Sequence, residues 1–204
     1  MYDYMIGQVT RITPEYIVVE QGYIGYRLFT PNSYAFKQTT EMVRVYVHHH
    51  VREDASLLYG FTTLDERELF RKLIQVSGIG PKGALAILAT GDPSQVVAAI
   101  EHEDESYLIK FPGVGKKTAR QIILDLKGKL GALLEVIDFA SAPNELPLFE
   151  DTNHNAALED ALLALATLGY SERELKKVRP KLESNDEIVT TDDYMKYALK
   201  LMLT

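Results

Sequence analysis

Two stretches of this chain decide its reading: Val76-Ser-Gly-Ile-Gly-Pro-Lys-Gly-Ala-Leu-Ala-Ile-Leu88 and Phe111-Pro-Gly-Val-Gly-Lys-Lys-Thr-Ala-Arg-Gln-Ile-Ile123. Both run Gly-apolar-Gly-x-Lys between segments of helical period. Gly78 and Gly113 are 113 − 78 = 35 residues apart, as are Gly80 and Gly115. The pattern predicts two helix-hairpin-helix units. Glycine supplies positive φ at the turn and lets a ligand approach the backbone closely. Ile79 and Val114 are suited to plug the space between the helices. The unpaired amides opening each second helix form an anion site favoured by the dipole. Lys82, Lys116 and Lys117 add positive charge beside them, and Arg120 follows one turn on. A nucleic-acid phosphate is the natural ligand, and such contacts position a backbone without reading its sequence.

Gly78-Ile-Gly80-Pro-Lys-Gly83 also matches the dinucleotide string G-x-G-x-x-G. That motif requires a preceding strand, whereas Glu68–Val76 is helical in pattern. No G-x-x-x-x-G-K-[ST] occurs, so the chain carries no P-loop to hydrolyse ATP.

Upstream, Ile6–Ile12, Tyr16–Glu20, Tyr26–Phe29, Met42–His49 and Leu57–Phe61 read as five short strands separated by Pro14, Gly22, Gly25, Pro31, Asn32 and Gly60. Five strands in about 60 residues suggest an OB-fold barrel, with a compact sandwich as the alternative. At Leu64 the period becomes helical, over Leu64–Val76, Lys82–Ala89, Pro93–Glu101, Glu105–Lys110 and Lys116–Leu130. Residues 138–152 hold two prolines, four acids and no base, which reads as a flexible acidic linker. Residues 153–204 read as three helices, with Gly169 at a helix C′ position, a Ser171/Glu174 capping box, and Thr191-Asp192 opening the last. The expected organisation is α+β and multidomain: a barrel over 1–63, a tandem hairpin domain over 64–137, the linker, and a small three-helix domain over 153–204.

The 204 residues contain no cysteine, which excludes disulfides, thiolate metal sites and a cysteine nucleophile. No apolar run reaches the ~18 residues needed to span a bilayer, and the first residues lack the features of a signal peptide, so a cytoplasmic protein is expected. The net charge of −7 argues against nucleic acid only until it is apportioned. Residues 1–64 carry 5 positive and 6 negative charges, residues 65–130 carry 10 and 9, and residues 131–204 carry 7 and 14. Within the middle third, Glu101, Glu103, Asp104 and Glu105 form an acidic run. Lys110, Lys116, Lys117, Arg120, Lys127 and Lys129 form a basic stretch, and a local basic face suffices for phosphate.

These hairpins, following a barrel that contains Val51-Arg-Glu-Asp-Ala-Ser-Leu-Leu-Tyr-Gly-Phe61, resemble the RuvA family of bacterial Holliday-junction branch-migration subunits. Met5-Ile-Gly7, Gly25-Tyr26 with Thr30-Pro31-Asn32-Ser33, and Leu168-Gly169-Tyr170 agree with it. The resemblance implies a homotetramer built on the OB-fold, one or two tetramers holding a four-way DNA junction open in recombination and repair. It implies duplex arms held through Gly78, Ile79, Gly80, Lys82, Gly113, Val114, Gly115, Lys116, Lys117 and Arg120. It further implies a mobile, UBA-like third domain that recruits the hexameric ATPase RuvB, here assigned to Leu165, Leu168, Tyr170 and Leu199, with the resolvase RuvC sharing a junction face. No cofactor, metal or catalytic residue is implied.

Glu53 and Asp54 should occupy a hairpin tip. In an ordinary protein that is a solvated turn. At the symmetry axis of a tetramer, eight carboxylates would repel phosphate and act as a pin where strands cross. The enzymatic alternative is a hairpin-containing DNA glycosylase with lyase activity, using Lys117 as Schiff-base nucleophile and Asp138 as its carboxylate partner. A general single-strand binder is a third reading without positive support. His48-His49-His50 invites a metal reading, since positions 48 and 50 share a strand face, but no third ligand is evident and a structural role is expected.

Overall fold

The computed structural model describes residues 2–89, 92–130, 154–185, 188 and 190–203, and side chains within them except at 154–156. The linker 138–152, the boundary at 137 and Asp138 lie outside the described residues.

The first domain is a closed five-stranded barrel in the order β1-β2-β3-β5-β4: β1 Tyr4–Ile12, β2 Tyr16–Gln21, β3 Ile24–Phe29, β4 Val43–Val51 and β5 Ser56–Phe61. This is the OB-fold, and the sandwich alternative falls. All neighbours are antiparallel except β3 and β5. β1 begins two residues earlier than the sequence suggests because Tyr4 and Met5 pair with Tyr46 and Val45. Alternation turns Met5, Val9, Ile17, Val19, Leu28, Val45 and Val47 inward to form the barrel core. Gly7 is required where β1 crosses β2, because a Cβ there would stand 2.3 Å from the Glu20 carbonyl oxygen. The β2–β3 hairpin closes through Gly22 (φ 57°) and Tyr23 (φ 68°), the geometry of a tight two-residue turn.

Helix α1, Leu64–Leu73, leaves the barrel at a capping box: Thr63 Oγ1 accepts from Glu66 N, and Glu66 accepts from the Thr62 and Thr63 amides. Its Phe70 packs on Phe61 and Tyr59 at ring distances of 4.9 and 5.0 Å. Its buried Arg67 donates to the Asp3 carbonyl at 2.7 Å and pairs with Asp3 and Glu68. These contacts fix the barrel to the next domain, whose helices are α2 Pro81–Leu88, α3 Pro93–Glu101, α4 Glu105–Leu108 and α5 Lys116–Leu126. Proline at the first helical position, where no amide partner is needed, starts α2 and α3. Helix α5 stops at Leu126, four residues before the end the pattern suggests, since Lys127 leaves helical geometry (ψ 133°) and Gly128 takes φ +73°.

The third domain has helices α6 His154–Leu168, α7 Glu172–Glu183 and α8 Thr191–Leu203. Gly169 takes φ +108°, and the Ser171/Glu174 capping box is present. Helix α8 is capped by Thr190, whose Oγ1 accepts from Asp193 N at 3.2 Å, one residue before the expected opening. One continuous apolar cluster joins Tyr59 and Phe61 to the hairpin domain and the third domain. Asn32 Nδ2 donates to Asp192 Oδ1 at 2.6 Å, tying the barrel to α8, and Lys110 bonds the Leu203 carbonyl.

Candidate nucleic-acid interface

The two hairpins share one backbone geometry. Gly78 and Gly113 take φ +92° and +79°, a region open to glycine and costly to other residues. Gly80 and Gly115, the N-cap residues of α2 and α5, have φ/ψ of −92°/173° and −85°/172°, and neither helix start has a side-chain cap. Ile79 N donates to Val76 O and Val114 N to Phe111 O, both at 3.1 Å. Ile79 and Val114 are buried between the helices while the four glycines are exposed. Both helix starts therefore present unpaired amides to solvent. A Cβ on Gly78 would stand 3.7 Å from Thr118 Oγ1, so the first hairpin turn abuts the first turn of α5. Thr118 was missed from sequence, because contact between the repeats has no local signature.

Lys82, Lys116 and Lys117 are exposed and, among the described residues, form no ion pair. Two further members of the basic stretch, Arg120 and Lys127, are engaged by the acidic run. Arg120 Nε pairs with Glu105 at 2.9 Å, and Lys127 with Glu103 at 2.5 Å. Hydrogen bonding and charge in the latter pair hold the carboxyl of Glu103 below, and the amine of Lys127 above, their ordinary values. Gly128 N donates to Glu101 Oε1 at 2.9 Å. The two charge blocks, which sequence presents as separate, thus meet in two ion pairs on one side of the domain. Among the described residues, Lys82, Lys116 and Lys117 are left unengaged at the hairpins.

Glu53 and Asp54 lie in the exposed turn between β4 and β5, closed by Arg52 N to Ala55 O at 2.7 Å. His48 and His50 share a face, with rings 6.0 Å apart. His48 rests edge-on against Phe70 and His50 against Tyr59. His49 points the other way, to Ser56 Oγ at 2.9 Å and the Tyr2 ring. Among the described residues no group of three or more ligating side chains is arranged for a metal.

Leu165, Leu168, Tyr170 and Leu199 are all buried, none more than 7% exposed. Leu168 lines a cavity of about 200 Å³ with Pro14, Phe29, Leu57, Tyr59 and Lys82. Burial, then Glu174 and Tyr107, hold the Tyr170 hydroxyl well above its ordinary value. Lys117 stands exposed at a helix start, unlike a lyase nucleophile in a base pocket. No single helix among the described residues is long and apolar enough to cross a membrane.

The chain matches family models described as the RuvA N terminal domain over residues 1–60, a SAM-like helix-hairpin-helix tandem over 70–128, and the RuvA C-terminal domain over 156–203. It is 66% identical to a protein of Lysinibacillus sphaericus (strain C3-41) named Holliday junction branch migration complex subunit RuvA, over 100% of this chain and 98% of that one. Proteins of the same name from Bacillus thuringiensis (strain Al Hakam) and Bacillus anthracis (strain A0248) are 54% identical over the same shares. These matches run through all three domains and leave the glycosylase reading without support. An OB barrel, paired hairpins and a C-terminal three-helix unit, each matched in order along its length, make this chain a member of the RuvA family.

Proposed function

We propose that the chain binds four-way DNA junctions and supports their branch migration in recombination and repair, as a non-catalytic subunit. The observation that carries this is the pair of matched hairpins, whose two uncapped helix starts lie beside each other and carry Lys82, Lys116 and Lys117 unengaged. Each helix start offers amides and dipole to one phosphate, so a hairpin pair grips successive backbone positions of a duplex arm regardless of base sequence. Arg120 joins that grip only by giving up Glu105.

Four chains assemble through the barrel, whose exposed Tyr4, Ile6, Met42 and Val51 supply apolar surface for self-association. In that assembly Glu53 and Asp54 gather at the centre and repel phosphate, keeping the crossing strands apart. The third domain recruits the RuvB ATPase through a face that includes Leu168 and Tyr170, over Leu165 and Leu199. That face lies against the other two domains here and has to lift away to be used. RuvC shares the junction, and one or two tetramers occupy it.

The test is a gel shift with mass determination, in low salt and EDTA, on a four-way junction and on linear duplex of the same arms. A junction-selective complex of tetramer or octamer mass is expected. Equal binding to duplex by a monomer refutes the proposal. Deleting 153–204 should spare junction binding and abolish motor stimulation.

A further inference from the structure

Glu53 and Asp54 are exposed and, among the described residues, neither forms an ion pair. The cation nearest in sequence is Arg52, yet its Nε donates to His50 Nε2 at 2.9 Å. That bond sets a chemical condition. Nε2 has to carry a lone pair, so His50 is neutral with its proton on Nδ1. A protonated His50 would present a donor to a donor and a cation to a cation.

The surroundings favour the neutral ring. His50 stands against Tyr59 of β5 at 6.2 Å and against His48 of its own strand at 6.0 Å. Across the seam, His48 meets Phe70 of α1 and feels Arg67 and Arg71, both of which bond Glu68. Partial burial and then Arg52 hold His50 below its ordinary value. For His48 the causes are burial, then His50, Arg71, Arg67 and His49.

We infer that His50 is a positioning residue: by holding the Arg52 guanidinium, it keeps that cation off Glu53 and Asp54 and leaves the turn with its full negative charge. The inference rests on the reading that this turn faces the DNA crossover. Protonating His50 releases Arg52, and the nearest acceptors along the chain are the two carboxylates. The turn then falls from two negative charges towards one, and its repulsion of phosphate weakens. His50 thereby makes the acidic turn responsive to pH.

The experiment is fluorescence anisotropy of a labelled four-way junction with the full chain at constant ionic strength, from pH 8 to pH 5.5. The wild type is compared with His50→Gln, His50→Leu and Arg52→Gln. The ratio of wild-type to His50→Gln affinity removes titrations common to both proteins. Glutamine keeps an oxygen that accepts from Arg52 and does not titrate. It should match the wild type at pH 8 and lack the extra tightening on acidification, about two- to fivefold, the scale of one exposed ion pair. His50→Leu, with no acceptor, should bind at pH 8 about two- to fivefold more tightly than the wild type does at that pH. Arg52→Gln should lose the His50-dependent response. A His50→Gln profile parallel to wild type, or a His50→Leu affinity equal to wild type at pH 8, overturns the inference. Two controls separate its failure from that of the underlying reading. If Glu53→Gln/Asp54→Asn leaves junction binding and migration unchanged, the acidic turn has no role at the crossover. In the free protein, NMR titration of His50 should move upward in Arg52→Gln, and an unmoved titration removes the contact itself.

Discussion

Replacing Lys116 and Lys117 together by glutamine removes two cations from the first turn of α5, where both side chains are exposed and unengaged among the described residues. The effect on binding follows from counterion release. Each phosphate contact contributes about 0.9 to the slope of log affinity against log salt, so losing two should flatten it by about 1.8. Between 50 and 200 mM salt the logarithm changes by about 0.6. The affinity gap between wild type and variant should therefore narrow about tenfold across that range. Loss of fold is a poor explanation for such a result. Cations at a helix N-terminus oppose the dipole, so their removal should leave stability unchanged or raise it by about 0.3–1 kcal/mol. The assay is a junction titration at four or five salt concentrations, with a thermal melt of each protein. Parallel salt lines would refute the reasoning and remove these lysines from the interface. Arg120→Gln is the internal comparison. Because Arg120 is held by Glu105, its slope change should be smaller than that of either lysine.

Three further outcomes follow from the geometry. Gly78→Ala and Gly80→Ala should separate fold from function. Alanine at φ +92° is strained by about 1–2 kcal/mol and should lower the melting temperature, whereas Gly80 is extended with open space about its Cβ and should melt normally while binding junctions less well. Gly7→Ala drives a methyl to 2.3 Å from the Glu20 carbonyl oxygen, and urea unfolding should show a loss of several kcal/mol or no soluble barrel. Acid should destabilise the fold through His48 and His50. Both are held below 6.5, so the unfolded chain takes up protons first, and stability is lost as pH falls through about 6.5 towards their folded values. Melts from pH 7.5 to 5.5 should fall less in His48→Gln/His50→Gln, and an equal fall would assign the acid sensitivity elsewhere.

The hairpins were legible because their signal is local: glycines, plug residue and lysine sit within six residues, and each geometric demand names a residue type. The barrel was legible from strand length and turn residues, although alternation alone left a sandwich open. The charge pairing of Glu103 with Lys127 and Glu105 with Arg120 was not. It depends on α4 and α5 packing side by side, which no pattern within either segment encodes. Thr118 beside Gly78 escaped for the same reason. The histidine triplet showed its shared strand face in sequence, but the grip of His50 on Arg52 requires the chain to fold the arginine back over its own strand.

The third domain's seam with the other two has a further consequence for how a tethered domain competes with an outside partner. Thr30, Ser33, Tyr107 and Tyr170 each bury a hydroxyl without a hydrogen-bond partner among the described residues. Thr30 lines the cavity that Leu168 closes, and Tyr107 acts electrostatically on Tyr170 across the seam. A buried hydroxyl left unpaired costs about 1–3 kcal/mol, so Thr30, Tyr107 and Tyr170 each subtract from what apolar burial at the seam contributes. Covalent attachment compensates, because a short tether gives a local concentration of about 1 mM. A seam with an intrinsic dissociation constant near 1 mM is then about half open, and an outside protein that needs the same face loses only about twofold in affinity by waiting for it.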